Sequence, residues 1–307
     1  MNLVFLLLLS LCLGCASCIY NPANTPPPLP CCPVVPQPVR LALVLGGGGA
    51  KGLAHVGVLE ELEEAGIPID LIVGCSSGSI VGALYADSVS CEALKETMLG
   101  LQSRFLIDLD LWHARYGLCQ GRTLRKFLER KLNAGTFGEL KLPFYLVATD
   151  LCSSELVVIG GGPLIPAIEA SCALPFIFIP VELHGRMLVD GGVIDPVPVR
   201  VAQLFDPGLI IAVDLRSLLP LEIPKNLFGI AARSAEITLL WQSEGCIKDA
   251  DIVIRPELMD VGTFENDCNE MIYQAGKKAA RAWIPHIQEL LNQSVKESPA
   301  DQHQREG

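Results

Sequence analysis

A short apolar run followed by apolar residues at helical spacing occurs twice in succession between residues 40 and 86. Residues 40–45 form a short apolar run that ends at glycines, which is typical of a buried strand. From Leu53 onward, apolar residues recur at helical spacing, and glutamates occupy the opposite face. A second strand is predicted at 70–73, with an apolar run at 71–73, and a helix is predicted at 78–86. Two strand-to-helix units in succession predict a parallel sheet covered by helices.

The rest of the chain predicts further elements of the same α/β class. Strands are predicted at 144–150, 155–159, 187–189 and 209–214, the first two as a hairpin and the last as the final core strand. The stretch 91–132 is mostly helical, and separate helices are predicted at 118–132, 167–173, 227–245 and 269–291.

The first residues predict an export signal. Residues 3–9 are continuously apolar, and the run then ends in small residues and cysteines, as in a signal peptide. The run is short for a transmembrane helix, which needs about 20 apolar residues, although counting on to Ile19 leaves a marginal anchor open. Gly14-Cys15, and less well Ser17-Cys18, resembles a lipoprotein cleavage box. Lipid attachment at Cys15 would anchor the chain to a membrane without spanning it. The absence of Lys or Arg before the apolar run departs from the usual signal.

Composition shifts divide the chain into segments. We expect residues 1–18 to be a leader or anchor and residues 19–39, which are rich in proline, to be an extended spacer. Residues 40–215 carry the motifs described below and form the expected catalytic domain. Residues 216–295 are expected to be a helical extension of that domain, and residues 296–307 a polar tail.

Charge and cysteine usage exclude some partners. The formal net charge of -11 argues against nucleic acid, which requires a basic surface. The cysteines beyond the spacer contain no C-x-x-C pair, so we expect no metal site. Basic residues between 122 and 131 share one helix face. We interpret this face as solvated, with a membrane-facing cap as the alternative.

A candidate nucleophile lies between the second strand and its helix. Gly74-Cys75-Ser76-Ser77-Gly78 matches the G-x-S-x-G pattern in the strand-turn-helix context where the pattern has meaning. Glycines two residues before and after the serine let neighbouring backbones approach a sharp turn. Ser76 would present its hydroxyl near the positive end of the helix dipole, which favours a developing oxyanion. The alternative is an ordinary Gly-Ser turn.

A glycine-rich loop follows the first strand. The spacing Gly47-x-Gly49-x-x-Gly52 also fits a dinucleotide fingerprint, but the second strand ends at a serine instead of the required acid. A phosphate-binding P-loop is excluded because Lys51 is followed by glycine. The backbone N–H groups of such a loop, Gly48 included, can instead hold a negative oxygen. We therefore expect an oxyanion site and no cofactor.

The base that activates Ser76 is expected to be a carboxylate. The five histidines lie in no context that favours a base, and we interpret them as structural or exposed: His55, His113, His184, His286 and His303. Asp190 ends a predicted strand before Gly191-Gly192, so it falls on the same sheet edge as Ser76. A desolvated aspartate with a raised pKa can accept the serine proton directly. The alternative for Asp-Gly-Gly is a turn.

The three motifs together resemble those of the patatin-like phospholipases. Gly47-x-Gly49-x-x-Gly52, Gly74-x-Ser76-x-Gly78 and Asp190-Gly191-Gly192 stand in the family's order, and the resemblance covers about residues 40–215. It implies a three-layer α/β/α sandwich with a mostly parallel central sheet.

The resemblance also implies a function. Ser76 would be the nucleophile and Asp190 the base, and the amides around Gly48 and Gly49 would form the oxyanion hole. Lys51 stands where the family has Lys or Arg, and its charge would meet a phosphate or orient the loop. The implied activity is hydrolysis of lipid acyl esters at a membrane surface, without a metal or cofactor. An acyltransferase, a thioesterase or general esterase, and a non-enzymatic surface lipoprotein remain alternatives.

Overall fold

The computed structural model describes residues 27–32, 34–101, 108, 117–216, 227–258 and 268–296. The predicted leader at 1–18, the first part of the spacer, and the tail from 297 lie outside these residues, as do His113 and His303. Export and lipid attachment at Cys15 or Cys18 therefore stay predictions. Within the described ranges, no helix combines the length and the hydropathy that a membrane crossing requires.

One mixed sheet forms the centre of the fold. Its strands are β1 (Ala42–Leu45), β2 (Leu71–Cys75), β3 (Phe144–Asp150), β4 (Leu156–Ile159), β5 (Val181–Leu183), β6 (Arg186–Asp190), β7 (Ile210–Val213) and β8 (Ile252–Ile254). The hydrogen-bonded path through the sheet is β5-β6-β3-β2-β1-β7-β8, in which β6 and β2 pair with different residues of β3, and β4 also pairs with β3. Strands β3, β2, β1, β7 and β8 pair in parallel, whereas β4, β5 and β6 pair antiparallel. The core of the sheet is therefore parallel, as the sequence predicts.

Helices cover both faces of this sheet. Within the described ranges the α-helices are α1 (Leu53–Glu64), α2 (Ser77–Ser88), α3 (Cys91–Leu99), α4 (Arg122–Lys131), α5 (Leu164–Ser171), α6 (Val199–Gln203), α7 (Leu227–Cys246), α8 (Asn269–Arg281) and α9 (Ile284–Lys296). Leu43 and Leu45 of β1 pack into one apolar cluster with α1 and α2, while Val44 packs into another with α6. This alternation places apolar cores on both sides of the sheet. The predicted α/β fold with helices flanking a central sheet is confirmed.

Three sequence predictions need correction. The strand at 209–214 is not the last of the core, because β8 follows it and pairs with β7 in parallel. Strand β5, which pairs with β6, is absent from the predictions. The helix predicted at 269–291 is two helices, α8 and α9. Pro285 lies at the second position of α9, where its missing N–H and fixed φ suit a helix start and not a helix interior.

Helix α8 packs unusually closely against α1, the helix that follows the glycine loop. A Cβ atom on Gly57 would lie 2.2 Å from the Tyr273 carbonyl oxygen, and one on Gly276 would lie 2.0 Å from that of Ala54. Arg281 makes a two-pronged ion pair with the buried Glu61, with N–O distances of 2.9 and 2.6 Å. Two glycines and this ion pair therefore fix α1, and with it the loop at its N-terminus, against the body of the protein.

Candidate active site

Ser76 occupies a sharp turn between β2 and α2. Its backbone has φ 52° and ψ -121°, a conformation that costs free energy for any residue with a side chain. The Ser76 carbonyl is held by Ser79, whose N–H and hydroxyl donate to it at 2.8 and 2.6 Å. The turn therefore holds the serine in a strained conformation at the end of a buried strand, as expected of a nucleophile elbow.

Glycines allow this turn to form against the neighbouring strand. A Cβ atom on Gly74 would lie 2.8 Å from the Gly78 carbonyl oxygen, and one on Gly78 would lie 2.1 Å from that of Leu45. A Cβ on Gly52 would lie 2.8 Å from the Cβ of Ser77. These positions bring the elbow and the glycine loop into backbone contact, which no larger residue would permit.

Asp190 lies directly beside Ser76. The Ser76 hydroxyl donates to Asp190 Oδ2 at 2.6 Å, and Asp190 Oδ1 accepts from the Gly192 N–H at 2.8 Å. The Cys75 thiol lies 3.9 Å from the same Oδ1 atom. Asp190 is 3% exposed. The structure thus brings together the serine and the carboxylate that the sequence analysis paired across more than a hundred residues.

The topology of β3 explains this proximity. Cys75 of β2 pairs with Val147 of β3, and Asp190 of β6 pairs with Ala148, the next residue of β3. Strand β4 pairs with both Val147 and Ala148 and so occupies the opposite edge. Strands β2 and β6 therefore meet end to end along one edge of β3, and their final residues become neighbours.

Gly191 lets the chain turn away at this junction. A Cβ atom there would lie 2.5 Å from the Val147 carbonyl oxygen, so close contact with the sheet requires glycine at position 191. Gly192 then supplies the N–H that holds Asp190 Oδ1.

The surroundings of Asp190 favour a base. Burial raises the pKa of this carboxyl to about 6, and the hydrogen bonds from Ser76 and Gly192 oppose the rise only partly. At neutral pH the group is still mostly ionised, and its proton affinity is higher than that of an exposed aspartate. An ionised carboxylate that accepts the serine proton is the arrangement that direct base catalysis requires.

This pKa predicts the acid limb of the activity profile. If ionised Asp190 is the base, kcat/KM decreases as the pH is lowered past about 6, and the decrease approaches tenfold per pH unit. The measurement is kcat/KM between acid and neutral pH on a soluble ester whose own ionisation lies outside that range. A limb near the ordinary aspartate value, or no limb at all, would contradict a desolvated Asp190 as the base.

The glycine loop leaves two N–H groups unused beside the elbow. The Gly46 and Gly47 N–H groups donate to the Val213 and Pro196 carbonyls at 3.1 and 2.9 Å, so these amides are occupied. The Gly48 and Gly49 N–H groups donate to no protein atom in the part of the chain that the structure describes. Gly49 has φ 60°, which favours glycine. Two free backbone donors at this place are suited to a developing oxyanion.

His55 anchors the glycine loop and is not placed to act as a base. Its Nε2–H donates to the Gly46 carbonyl oxygen at 2.8 Å, and the ring is fully buried. Burial lowers the pKa of His55 to about 4, so the ring is neutral at physiological pH. Among the described residues, Ser76 Oγ hydrogen-bonds to Asp190 and to no histidine. His286 lies on the surface, with its Nδ1 atom 3.8 Å from Glu289.

Two residues that hold the Ser76 backbone were not predicted from the sequence. Ser171 is fully buried, and its Oγ accepts the Ser76 N–H at 3.0 Å. The Cys172 thiol donates to the Ser76 carbonyl at 3.3 Å. Both residues lie at the end of α5, where the chain turns into Ala173-Leu174-Pro175, and the Ala173 carbonyl accepts the Asp190 N–H at 3.0 Å. One turn therefore holds the backbones of both Ser76 and Asp190.

We expect Ser171→Ala to lower kcat by about tenfold with little change in KM. The substitution leaves the Ser76 N–H without a partner, which costs about 1–2 kcal/mol and releases the strained turn. Steady-state kinetics on a soluble ester measure the effect, and Ser171→Thr, which keeps a hydroxyl, is the matched variant. An unchanged kcat in Ser171→Ala would show that this bond does not position the serine.

Lys51 lies in the short 3-10 helix Gly49–Gly52, directly after the free amides, and its side chain is partly exposed. Its N–H donates to the Gly48 carbonyl at 3.2 Å, which helps to shape the loop. A contact between its ammonium group and a substrate phosphate stays a prediction.

Two clefts lie near the elbow, one lined in part by Ser77 and the other by Cys172. The first has an empty volume of about 400 Å³ and lies between the glycine loop and helices α2 and α3. Its walls are mostly apolar and include Leu53, Ile80, Val81, Met98 and Leu101. The second, of about 630 Å³, extends from Cys172 past the ion pair of Arg125 and Glu169. The apolar cleft therefore borders Ser77, the residue after Ser76, and the more polar one borders Cys172, whose thiol donates to the Ser76 carbonyl.

Comparison with known proteins identifies relatives of this chain. The profile of a family described as patatin-like phospholipase matches residues 43–202. Patatin-like phospholipase domain-containing protein 6 of Mus musculus is 36% identical over 183 residues, which cover 58% of this chain and 14% of the mouse protein. An uncharacterized NTE family protein of Mycobacterium bovis is 36% identical over 176 residues, which cover 57% of this chain and 49% of that protein.

A solved structure has a similar fold. The crystal structure of VipD from Legionella pneumophila matches with a TM-score of 0.56 at 14% sequence identity, covering 82% of this chain and 67% of that one. At this identity the likeness concerns the fold alone. The chain spans half or less of the length of the two sequence relatives described above.

Proposed function

The chain belongs to the patatin-like phospholipase family, and we propose that it hydrolyses fatty-acyl esters of lipids with a Ser76–Asp190 dyad. The observation that carries this proposal is the 2.6 Å hydrogen bond from the Ser76 hydroxyl to a buried carboxylate. The free Gly48 and Gly49 amides next to it supply the third part that acyl transfer needs.

The first half of the reaction forms an acyl-enzyme. Ser76 Oγ attacks the ester carbonyl carbon, and its proton passes to Asp190 Oδ2, the atom to which it already donates. The carbonyl oxygen becomes an oxyanion that the Gly48 and Gly49 N–H groups bind. When the tetrahedral intermediate collapses, the bond to the alcohol oxygen breaks, and Asp190 returns the proton to the leaving alcohol or lysolipid.

The second half releases the fatty acid. Water gives a proton to Asp190 and attacks the acyl carbon, and the same amides bind the second oxyanion. Collapse of this intermediate breaks the bond to Ser76 Oγ, which recovers its proton from Asp190. One residue therefore serves as base and acid in turn, consistent with a pKa of about 6 for Asp190.

The clefts suggest how a lipid would lie. The cleft with apolar walls from α1, α2 and α3 suits a fatty-acyl chain, since burying each CH₂ group contributes about 0.8 kcal/mol. It lies next to Gly49 and Ser77, which flank the proposed oxyanion site. The larger cleft, which contains charged side chains, is suited to the alcohol part of the ester.

The test is incubation of the full chain with mixed phospholipids, with the released species identified by mass. We expect free fatty acid and the matching lysophospholipid, and neither product from Ser76→Ala. Added acyl acceptors separate hydrolysis from transfer, because a transferase would give acylated acceptor in place of free fatty acid. No lipid product under any of these conditions would reject the proposal.

A further inference from the structure

Helix α7 presents an exposed face without charge. The face consists of five exposed residues, called here the α7 stripe: Ile230, Ser234, Ile237, Thr238 and Trp241. At 3.6 residues per turn these positions fall within about 100° of the helix circumference. Trp241 is 77% exposed and Ile230 53%. Exposed helix faces of soluble proteins are normally charged, so a face without charge that carries an exposed tryptophan and two exposed isoleucines is suited to a partner surface.

The two hydroxyl groups of the stripe do not need water. Ser234 Oγ donates to the Ile230 carbonyl at 2.8 Å, and Thr238 Oγ1 donates to the Ser234 carbonyl at 3.0 Å. Each hydroxyl is therefore bonded one turn back along the helix, as serines and threonines are in helices that face hydrocarbon. Removing this face from water costs no hydroxyl hydrogen bond, because both are made within the helix.

The stripe is held beside the catalytic residues. The Gln242 side chain, adjacent to Trp241, donates to the Val193 carbonyl at 3.0 Å, and Val193 directly follows Gly191-Gly192. At the C-terminal end of α7, Glu244 pairs with Arg216, which also bonds Asp214 beyond β7. The helix is thus attached to the same sheet edge as Asp190, and its apolar residues lie next to that attachment.

We infer that the α7 stripe docks on the surface of a zwitterionic phospholipid bilayer and places the dyad against its substrate. This inference rests on the proposed function, since it names the surface from which that site takes its lipid. The net charge of -11 opposes binding to an anionic membrane, and the stripe has no charged residue, so apolar insertion drives the docking. Tryptophan suits this position, because its apolar ring and polar N–H favour the boundary between headgroups and acyl chains.

This surface differs from the basic face of α4, which the sequence analysis considered as a membrane cap. Arg125 of that helix is engaged with Glu169 through two contacts of 2.8 and 2.6 Å. Docking through α4 would depend on anionic lipid and weaken with salt, whereas docking through the α7 stripe would depend on neither.

The first measurement follows the fluorescence of Trp241. In the full chain, Trp112→Phe and Trp283→Phe leave Trp241 as the single tryptophan, and Ser76→Ala prevents hydrolysis of the vesicles. Phosphatidylcholine vesicles should shift the emission to shorter wavelength, and bromine on the upper acyl chains should quench it by more than half, at low and high salt alike. Unchanged emission at saturating vesicle concentration would overturn the inference, as would binding that requires anionic lipid.

The second measurement compares substrates. Ile237→Ser with Trp241→Ser should lower turnover of phosphatidylcholine vesicles by about tenfold or more, while hydrolysis of a soluble monomeric ester stays within about twofold. The matched control is Leu204→Ser, an apolar residue that is 74% exposed at the end of α6, which should change neither rate. Equal loss of rate on both substrates would reject the docking role. The role would also be rejected if the wild type formed a dimer, and the double variant dissociated that dimer while keeping its rate on vesicles. Inactivity of the wild type on both substrates would reject the proposed function, whereas the quenching measurement needs no activity.

Discussion

Asp190→Asn is expected to lower kcat by about 10³-fold or more while the protein stays folded. Asparagine keeps the shape of the side chain, but its amide cannot accept the Ser76 proton, and a positioned base contributes up to about 10⁴-fold. The loss should appear in kcat and not in KM, because Asp190 acts on the serine. Steady-state kinetics on a soluble ester measure it, and His286→Ala should stay within about twofold of wild type.

The same variant should be more stable than the wild type at alkaline pH. Between the ordinary value of 3.8 and the folded value of about 6, the folded protein binds a proton that the unfolded chain has released. The free energy of unfolding therefore falls as pH rises through this window, and the cost of the buried charge is fully present above it. We expect Asp190→Asn to raise the free energy of unfolding by about 3 kcal/mol at pH of about 8, and to bring no gain at pH of about 3.5.

The loss of kcat and the gain in stability are linked, because a buried charge that lowers stability is expected to serve a function. Denaturant unfolding at the two pH values measures the stability. Wild-type turnover in Asp190→Asn would exclude the dyad, whatever the stability does. A variant that loses activity and unfolds at both pH values would show that Asp190 is needed for the fold instead.

Gly78→Ala should cause the second large loss. The new Cβ atom would lie 2.1 Å from the Leu45 carbonyl oxygen and 2.6 Å from its carbon, so the backbone of β1 or α2 must move. Either movement separates the glycine loop from Ser76, and misplacement by about 1 Å can cost about 10²-fold in rate. We expect kcat to fall by about 10²-fold or more and the free energy of unfolding to fall by about 1–3 kcal/mol.

Gly138→Ala is the control for this substitution. A Cβ atom at Gly138 meets nothing within 4 Å, so the variant should keep both its rate and its stability. If Gly78→Ala behaved like Gly138→Ala, close backbone contact between loop and elbow would not be what sets the rate.

Local pattern was enough to predict the order of the elements in the first half of the chain. The apolar runs that end at Leu45 and Val73 are each followed by glycine, so strand and turn are both visible in sequence. Short strands were harder. Strand β8 has only three residues, Ile252–Ile254, and joins the sheet by pairing with β7, a contact that leaves no trace in local periodicity. Tertiary pairing, and not intrinsic propensity, decides such segments.

Some features of the candidate site could likewise be predicted from the sequence, and others could not. Ser76 and Asp190 could be named because each stands at the end of a strand with glycine within two residues. From the sequence, both were expected at the carboxyl edge of parallel strands, but β6 runs antiparallel to β3, so this reason was wrong although the two residues do meet. The end-to-end meeting of β2 and β6 along β3 could not be predicted, because it depends on the register of three strands. Ser171 escaped notice for a related reason, since its hydroxyl bonds a backbone group 95 residues away and matches no local motif.

The most direct test of the dyad is the mass of the enzyme during turnover. The full chain, quenched in acid while it turns over a slow long-chain ester, should carry one fatty-acyl group on the peptide that contains Ser76, and the Ser76→Ala variant should carry none. Asp190→Asn should form the same adduct far more slowly. An acyl group found on another residue, or fatty acid released by Ser76→Ala at the wild-type rate, would contradict the mechanism.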